Sequence, residues 1–179
     1  MSSTISRLVP SGLMPSGLVP SLDGPTNLLR SLYDRLAPLP GGKVAFGHIV
    51  GRMAAYTGTI GARVIELRDG FARVRMSDRP AVRNHLRSVH AVALVNLAEL
   101  TGNLAVAYSL PDDARFIVAG LSIEYVKKAR GTITGTSQCP IPTSSERREY
   151  EVPVVMTNPE GEVVARATLR TLVGPKSPR

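Results

Sequence analysis

The segment "RNHLRSVHAVALVNLAELTGNLAVAYSLP", residues 83–111, limits the fold more than any other stretch of the chain. After a basic lead with two histidines, its pattern predicts a helix from about residue 89 to 109, ended at Leu110-Pro111. That helix is apolar nearly all round. It cannot lie on a surface with one dry face and must be covered on most sides.

The flanking sequence supplies the cover. In "TIGARVIELRDGFARVRMSD" two apolar runs of period two meet at Asp69-Gly70, a dipeptide suited to a tight hairpin because both central positions tolerate positive φ. After the helix come three or four further strands: "ARFIVAGLSIEYVKKA", "GTITGTSQC", "REYEVPVVMTN" and "GEVVARATLRTLV". The last two are joined by a turn at Asn158, Pro159, Glu160 and Gly161. Leu121, Ile123 and Tyr125 share one strand face, as do Val163, Ala165, Ala167 and Leu169, so each strand has a side to bury. The expectation is an α+β domain in which a curved antiparallel sheet wraps one long central helix. At 179 residues the chain suits one such domain, placed at 59–175.

Ahead of it, "NLLRSLYDRLA" predicts a short helix capped by Thr26 and stopped by "PLPGG". "KVAFGHIVGRMAAYTG" continues as a helical lead-in, so 27–58 is a helical segment. Residues 1–26 carry the repeat "VPSGL", "MPSGL", "VPS" and predict a flexible tail rich in proline, serine and glycine.

Three side chains interrupt the apolar surface of the central helix along one line: Asn96, Glu99 and Asn103. Burying a carboxylate costs free energy unless it is paired, and the helix holds no Lys or Arg to pair with Glu99. Either the seam works chemically, or it faces solvent or a second copy. The helix start offers a complement, because first-turn N–H groups lack intrahelical partners and carry the positive end of the dipole. Ala91 sits there, eight residues before Glu99, about 12 Å along the axis. That separation is too large for both to touch one carbonyl within one chain. Two helices running past each other in a homodimer would bring Glu99 of one chain to the helix start of the other.

Charge and composition exclude several alternatives. The net charge of +8 raises nucleic-acid binding, yet the arginines are scattered and aromatics make up 4% of the chain, which disfavours a stacking platform. The single Cys139 cannot form an intrachain disulfide and reads as a small apolar residue. The N-terminus lacks a charged head followed by an apolar block, and uninterrupted apolar runs fall short of the roughly 18–20 residues that span a bilayer. The expected setting is a reducing cytoplasm without membrane attachment. His85, His90 and Glu99 lack the i, i+4 geometry of a helical zinc pair, so no metal is expected, and His48 is isolated and reads as structural. Ser88 lies too close in sequence to His90 for triad geometry.

Asn84, His90 and Glu99 stand at intervals of six and nine residues. With "LSIEYVKKARG" and "GEVVARATLRTLV", these positions make residues 45–174 resemble the hot-dog fold acyl-CoA thioesterases of the phenylacetic-acid-degradation and 4-hydroxybenzoyl-CoA type, and more closely their DUF4442 group. The resemblance implies that Glu99 is nucleophile or general base on a thioester, that the Ala91 N–H polarises its carbonyl, that Asn84 orients carbonyl or water, and that His90 shapes the helix start. Coenzyme A enters as part of the substrate and no separate cofactor is implied. Val92 and Asn103 are candidate substrate contacts. Lys127, Lys128 and Arg130 form either a solvated edge or a holder for the coenzyme A phosphates. One departure stands out: Ala91-Val92 replaces the two glycines that follow the histidine in the family. The partner implied is a second copy, in a homodimer or homotetramer. The alternative function is an acyl-CoA or acyl-group binding protein of the same fold without catalysis.

Overall fold

The computed structural model describes residues 26–176, so nearly all of the N-terminal tail lies outside the described residues. Three short helices come first: α1 (Leu28–Leu36), α2 (Gly42–Met53) and α3 (Ala55–Gly58). The hairpin strands β1 (Arg63–Arg68) and β2 (Phe71–Met76) precede the long helix α4 (Ala91–Ser109). Four strands follow: β3 (Ala114–Tyr125), β4 (Ile133–Gln138), β5 (Arg148–Thr157) and β6 (Val163–Pro175). They form one six-stranded sheet in the order β1-β2-β4-β5-β6-β3, with every neighbouring pair antiparallel.

The sheet curves because its register is broken in three strands, between Val64 and Glu66, between Val118 and Gly120, and between Met156 and Thr157. Each extra residue bends its strand and increases the local twist. The concave side receives α4, which touches all six strands. Leu97, Ala98 and Ala105 of the helix are fully buried against Val74, Ile133, Val152 and Leu169 of the sheet. Contact is close enough that a Cβ on Gly135 of β4 would stand 2.6 Å from Thr101 Oγ1. By length and composition α4 could cross a bilayer, but 61% of that window is buried inside the protein, where it serves as the core.

The strand faces read from the sequence lie opposite one another. Leu121 pairs with Leu169, Ile123 with Ala167 and Tyr125 with Ala165. The hairpin turn at Asp69-Gly70 is tied to the far end of α4, since the Gly70 N–H donates to Ser109 Oγ at 2.7 Å. Gly70 has φ +67°, and a Cβ there would meet the Cys139 carbonyl oxygen at 2.8 Å, so glycine is needed twice over.

One expectation needs correction. The cap of α1 is Asn27, not Thr26: its Oδ1 accepts from the Arg30 N–H at 3.0 Å, while its Nδ2 donates to the carbonyls of Ala107 and Leu110 at 2.8 and 3.0 Å. The asparagine therefore fastens the start of α1 to the end of α4, which a hydroxyl could not do with the same reach. The helical lead-in also shares the core. Phe46 of α2 is fully buried, and Tyr33 of α1 packs edge-on against Phe46 and Tyr108 while its hydroxyl accepts from the Leu67 N–H at 3.1 Å. Tyr108 in turn donates to Asp34 at 2.8 Å, and burial with that carboxylate pushes its pKa up to about 12. Phe46→Ala is expected to cost about 3–5 kcal/mol in chemical denaturation. A loss below about 1 kcal/mol would show that the lead-in is not integrated with the sheet.

Candidate active site

The start of α4 is held by a set of short contacts from both sides. After β2, Asp78 accepts from Arg83 Nε at 2.6 Å and from the Gly131 N–H at 2.9 Å, joining the two loops that flank the helix start. The Arg83 hydrogen bond holds the Asp78 carboxyl below its ordinary range, against the opposing effect of burial. Val89 N–H donates to the Ala129 carbonyl and His90 N–H to the Val82 carbonyl, both at 2.8 Å. The entry angle of the helix is thereby set before its first turn.

Between these anchors, Asn84 closes the loop 84–88. Its Oδ1 accepts from the Leu86 N–H at 2.9 Å, the Ser88 N–H at 3.2 Å and Ser88 Oγ at 3.1 Å. The tight turn puts Arg87 at φ 56°, a left-handed conformation that costs a non-glycine residue about 1–2 kcal/mol. Ser88 is buried with its hydroxyl committed to Asn84 rather than to His90. In this arrangement Asn84 positions the loop, and its carbonyl oxygen is occupied.

His90 is the N-cap of α4, and its Nδ1 accepts from the Val92 N–H at 3.1 Å. An imidazole replaces the usual hydroxyl or carboxamide oxygen there. Ala91 is exposed, and its N–H has no acceptor among the described residues. It is the open donor at the positive end of a 19-residue helix.

Of the alternatives left open for Glu99, the structure shows a carboxylate that faces outward from its own chain. Along α4 from Ala93 to Ser109 every residue is buried or half-buried except Glu99, which is exposed in the single chain. Val92, Val95, Glu99 and Asn103, spaced three, four and four, form a stripe of this helix that the other described residues leave exposed or half-exposed. Asn96 shares that side but α3 reaches over it, and its Nδ2 donates to the Tyr56 carbonyl at 3.1 Å. Asn103 is half-buried, with its Oδ1 buried and without a hydrogen-bond partner. Glu99 forms no ion pair or hydrogen bond among the described residues.

The candidate residues fall into separate places. His90, Val92 and Asn96 line a small cavity of about 200 Å³ with Tyr56 and Arg83. Asn103 lines another of about 430 Å³, and Glu99 lies between the two on the open stripe. Lys127 is engaged by Glu162 at 2.6 Å, while Lys128 and Arg130 are exposed without an ion pair among the described residues. Cys139 is buried, and burial pushes its thiol up to about 11, which keeps it protonated at neutral pH. Two features were missed from sequence: the Asp78 brace, whose partners are 5 and 53 residues away, and the covering contact from Tyr56. His48, read as structural, is exposed at the rim of a third cavity.

This arrangement of one central helix within a curved six-stranded sheet is the hot-dog fold, found in solved thioesterase structures. Residues 42–173 match the family described as Domain of unknown function (DUF4442), and the chain belongs to that family. No curated protein matches it. The crystal structure of the genomics protein APC5556 is similar at 29% identity, with 84% of this chain and 98% of that one covered and a TM-score of 0.69. PA5026 from Pseudomonas aeruginosa, described as a probable thioesterase, is similar at 26% identity over 76% of this chain and 97% of its own, TM-score 0.66. The PaaI protein of the phenylacetic acid degradation operon of E. coli shares the fold at 18% identity, covering 80% and 94%, TM-score 0.60.

The Asp78 brace gives a pH dependence whose sign follows from its lowered pKa. Its stabilisation is full above the unfolded aspartate value of about 3.9 and is lost as pH falls through the lower folded value. Asp78→Asn should flatten the acid limb of stability against pH below about 4. An unchanged limb in urea titrations across that range would contradict the brace.

Proposed function

We propose that the protein hydrolyses an acyl thioester, with acyl-CoA as the substrate class, at two equivalent sites built by two copies of the chain. One observation carries the reading. On a helix buried or half-buried from Ala93 onward, the open stripe holds a lone carboxylate, and the same helix begins with an exposed backbone N–H, both unpaired among the described residues. The two lie about 12 Å apart within a chain, so a carbonyl between them needs helices from two chains. The edge of the sheet favours that pairing. Among the described residues the 12-residue strand β3 pairs only with β6, and it exposes Ile117 along its length and Tyr125 beside the helix start, where Tyr125 Oη donates to the Ala91 carbonyl at 3.4 Å. A long unpaired edge is a template for a second strand.

In the proposed step, Glu99 of one chain takes a proton from water as the oxygen attacks the thioester carbon. The developing oxyanion is received by the Ala91 N–H of the other chain. Collapse breaks the C–S bond, the thiolate takes the proton, and carboxylic acid and free thiol leave. If Glu99 attacks directly, a mixed anhydride forms first and water cleaves it. The thioesterase description of PA5026 supports this chemistry at the level of the reaction class.

A second reading is favoured by one contact. The Val92 N–H, the next donor of the first turn, is already given to His90, and the exposed Val92 side chain stands where a ligand would approach. A first turn whose Val92 donor is already committed suits a protein that binds an acyl group without cleaving it. Release of free thiol from a panel of acyl-CoA thioesters separates the two. Turnover that falls about a hundredfold or more in both Glu99→Ala and Glu99→Gln supports hydrolysis. Equal rates in wild type and variants would remove Glu99 from the chemistry, and acyl-CoA binding without turnover would select the binding protein. Sedimentation of the wild-type chain is expected to give a dimer or a multiple of it, and a monomer at assay concentration would contradict the two-chain site.

A further inference from the structure

Two cavities among the described residues are not independent. One, of about 690 Å³, opens between α2, α3 and β1, and the other, of about 430 Å³, lies between α1, α2, α4 and the start of β3. Val50, Thr57 and Leu100 line both, so they meet at a shared wall. Leu100 is the neighbour of Glu99, and Asn103, one turn further, lines the second cavity. Each volume lies in the range of small-molecule sites.

Their chemistry differs. The larger cavity is bordered by Lys43, His48, Arg52 and Arg63, and no Asp or Glu lines it. Arg52 and Arg63 are exposed and form no ion pair among the described residues, whereas Lys127 is already paired with Glu162. Next to its Thr59 and Gly61, Arg79 is held by the Thr59 carbonyl at 2.6 Å, adding a further cation. The smaller cavity is walled mostly by apolar side chains, Leu29, Met53, Leu104, Ala107 and Phe116 among them, with Arg115 and Lys176 also on its lining. Within it the buried Asn103 Oδ1 lacks a partner, an acceptor placed for an N–H or O–H donor on a bound molecule.

We propose that these cavities are the two limbs of one site for an acyl-CoA: the apolar limb takes the acyl chain and the Lys43, His48, Arg52 and Arg63 limb takes the phosphates. The assignment moves the phosphates away from Lys127, Lys128 and Arg130. It rests on the thioesterase reading for the identity of the ligand, but not for the existence of the site. An apolar chain gains by leaving water in the dry limb, and phosphates gain from guanidinium groups with no competing carboxylate. The thioester then falls at the wall formed by Val50, Thr57 and Leu100, the residue next to Glu99 in the chain.

Calorimetric titration with free coenzyme A and, separately, with decanoate tests the two limbs without requiring turnover. Arg52→Glu/Arg63→Glu should weaken coenzyme A binding about tenfold or more and leave decanoate within about twofold. Ala54→Trp, at an exposed position bordering the apolar limb, should do the reverse. Circular dichroism checks that both variants fold. Unchanged coenzyme A affinity in the double variant, or loss confined to Lys128→Glu/Arg130→Glu, would overturn the assignment. So would pyrophosphate or a single-stranded oligonucleotide binding as tightly as coenzyme A. Thioester cleavage with an unaltered KM in the arginine variant would refute the basic limb while sparing the hydrolase. Arginine-dependent coenzyme A binding without turnover would do the opposite.

Discussion

The structure depends on the burial of α4. A helix that is apolar nearly all round is stable only when a partner removes most of its surface from water, and the bulged sheet supplies that cover from six strands. What the sheet does not reach, the N-terminal helices close, through Phe46, Tyr33 and the double hydrogen bonding of Asn27 to the end of α4. The remainder is one stripe of four side chains, and the charge on that stripe is Glu99. The position of the candidate site follows from where the cover stops.

Seen this way, the loops before α4 have a common task. Asp78, Asn84 and His90 each spend their hydrogen bonds on the backbone at or near the helix start. A donor aimed at a developing charge is useful only if it does not have to move. The left-handed Arg87 and the Asp78 brace are part of the cost of that rigidity. Val92 shows the limit of the design. Its N–H is committed to the cap, which leaves Ala91 as the exposed donor of the first turn.

Much of this fold was legible in the sequence because its signals are local and periodic. The Asp69-Gly70 hairpin, the turn at 158–161, the facing strand patterns and the extent of α4 are all set by neighbours in the chain. The cap of α1 was misplaced by one residue because Asn27 is chosen by carbonyls 80 and 83 residues away. The family resemblance likewise marked Asn84, His90 and Glu99 but gave no account of their surroundings. Nothing local says that Tyr56 covers Asn96, that Asn84 is consumed by its own loop, or that Glu99 is left in the open. The basic cavity escaped for the same reason: Lys43, His48, Arg52 and Arg63 are spread over 21 residues and converge only when α2 packs on β1.

The proposed site takes its carboxylate from one chain and its backbone donor from the other. Subunit complementation tests it directly. Ala91→Pro deletes the N–H while keeping the helix, since proline is well suited to the first helical position and His90 already has the extended backbone that precedes it. Glu99→Gln deletes the carboxylate function. Each variant alone should be inactive in thioester cleavage, and refolding them together in equal amounts should restore about a quarter of the wild-type rate, because half of the dimers are mixed and each has one intact site of two. A mixture no more active than its separate components would contradict the account and place the whole reaction within a single chain.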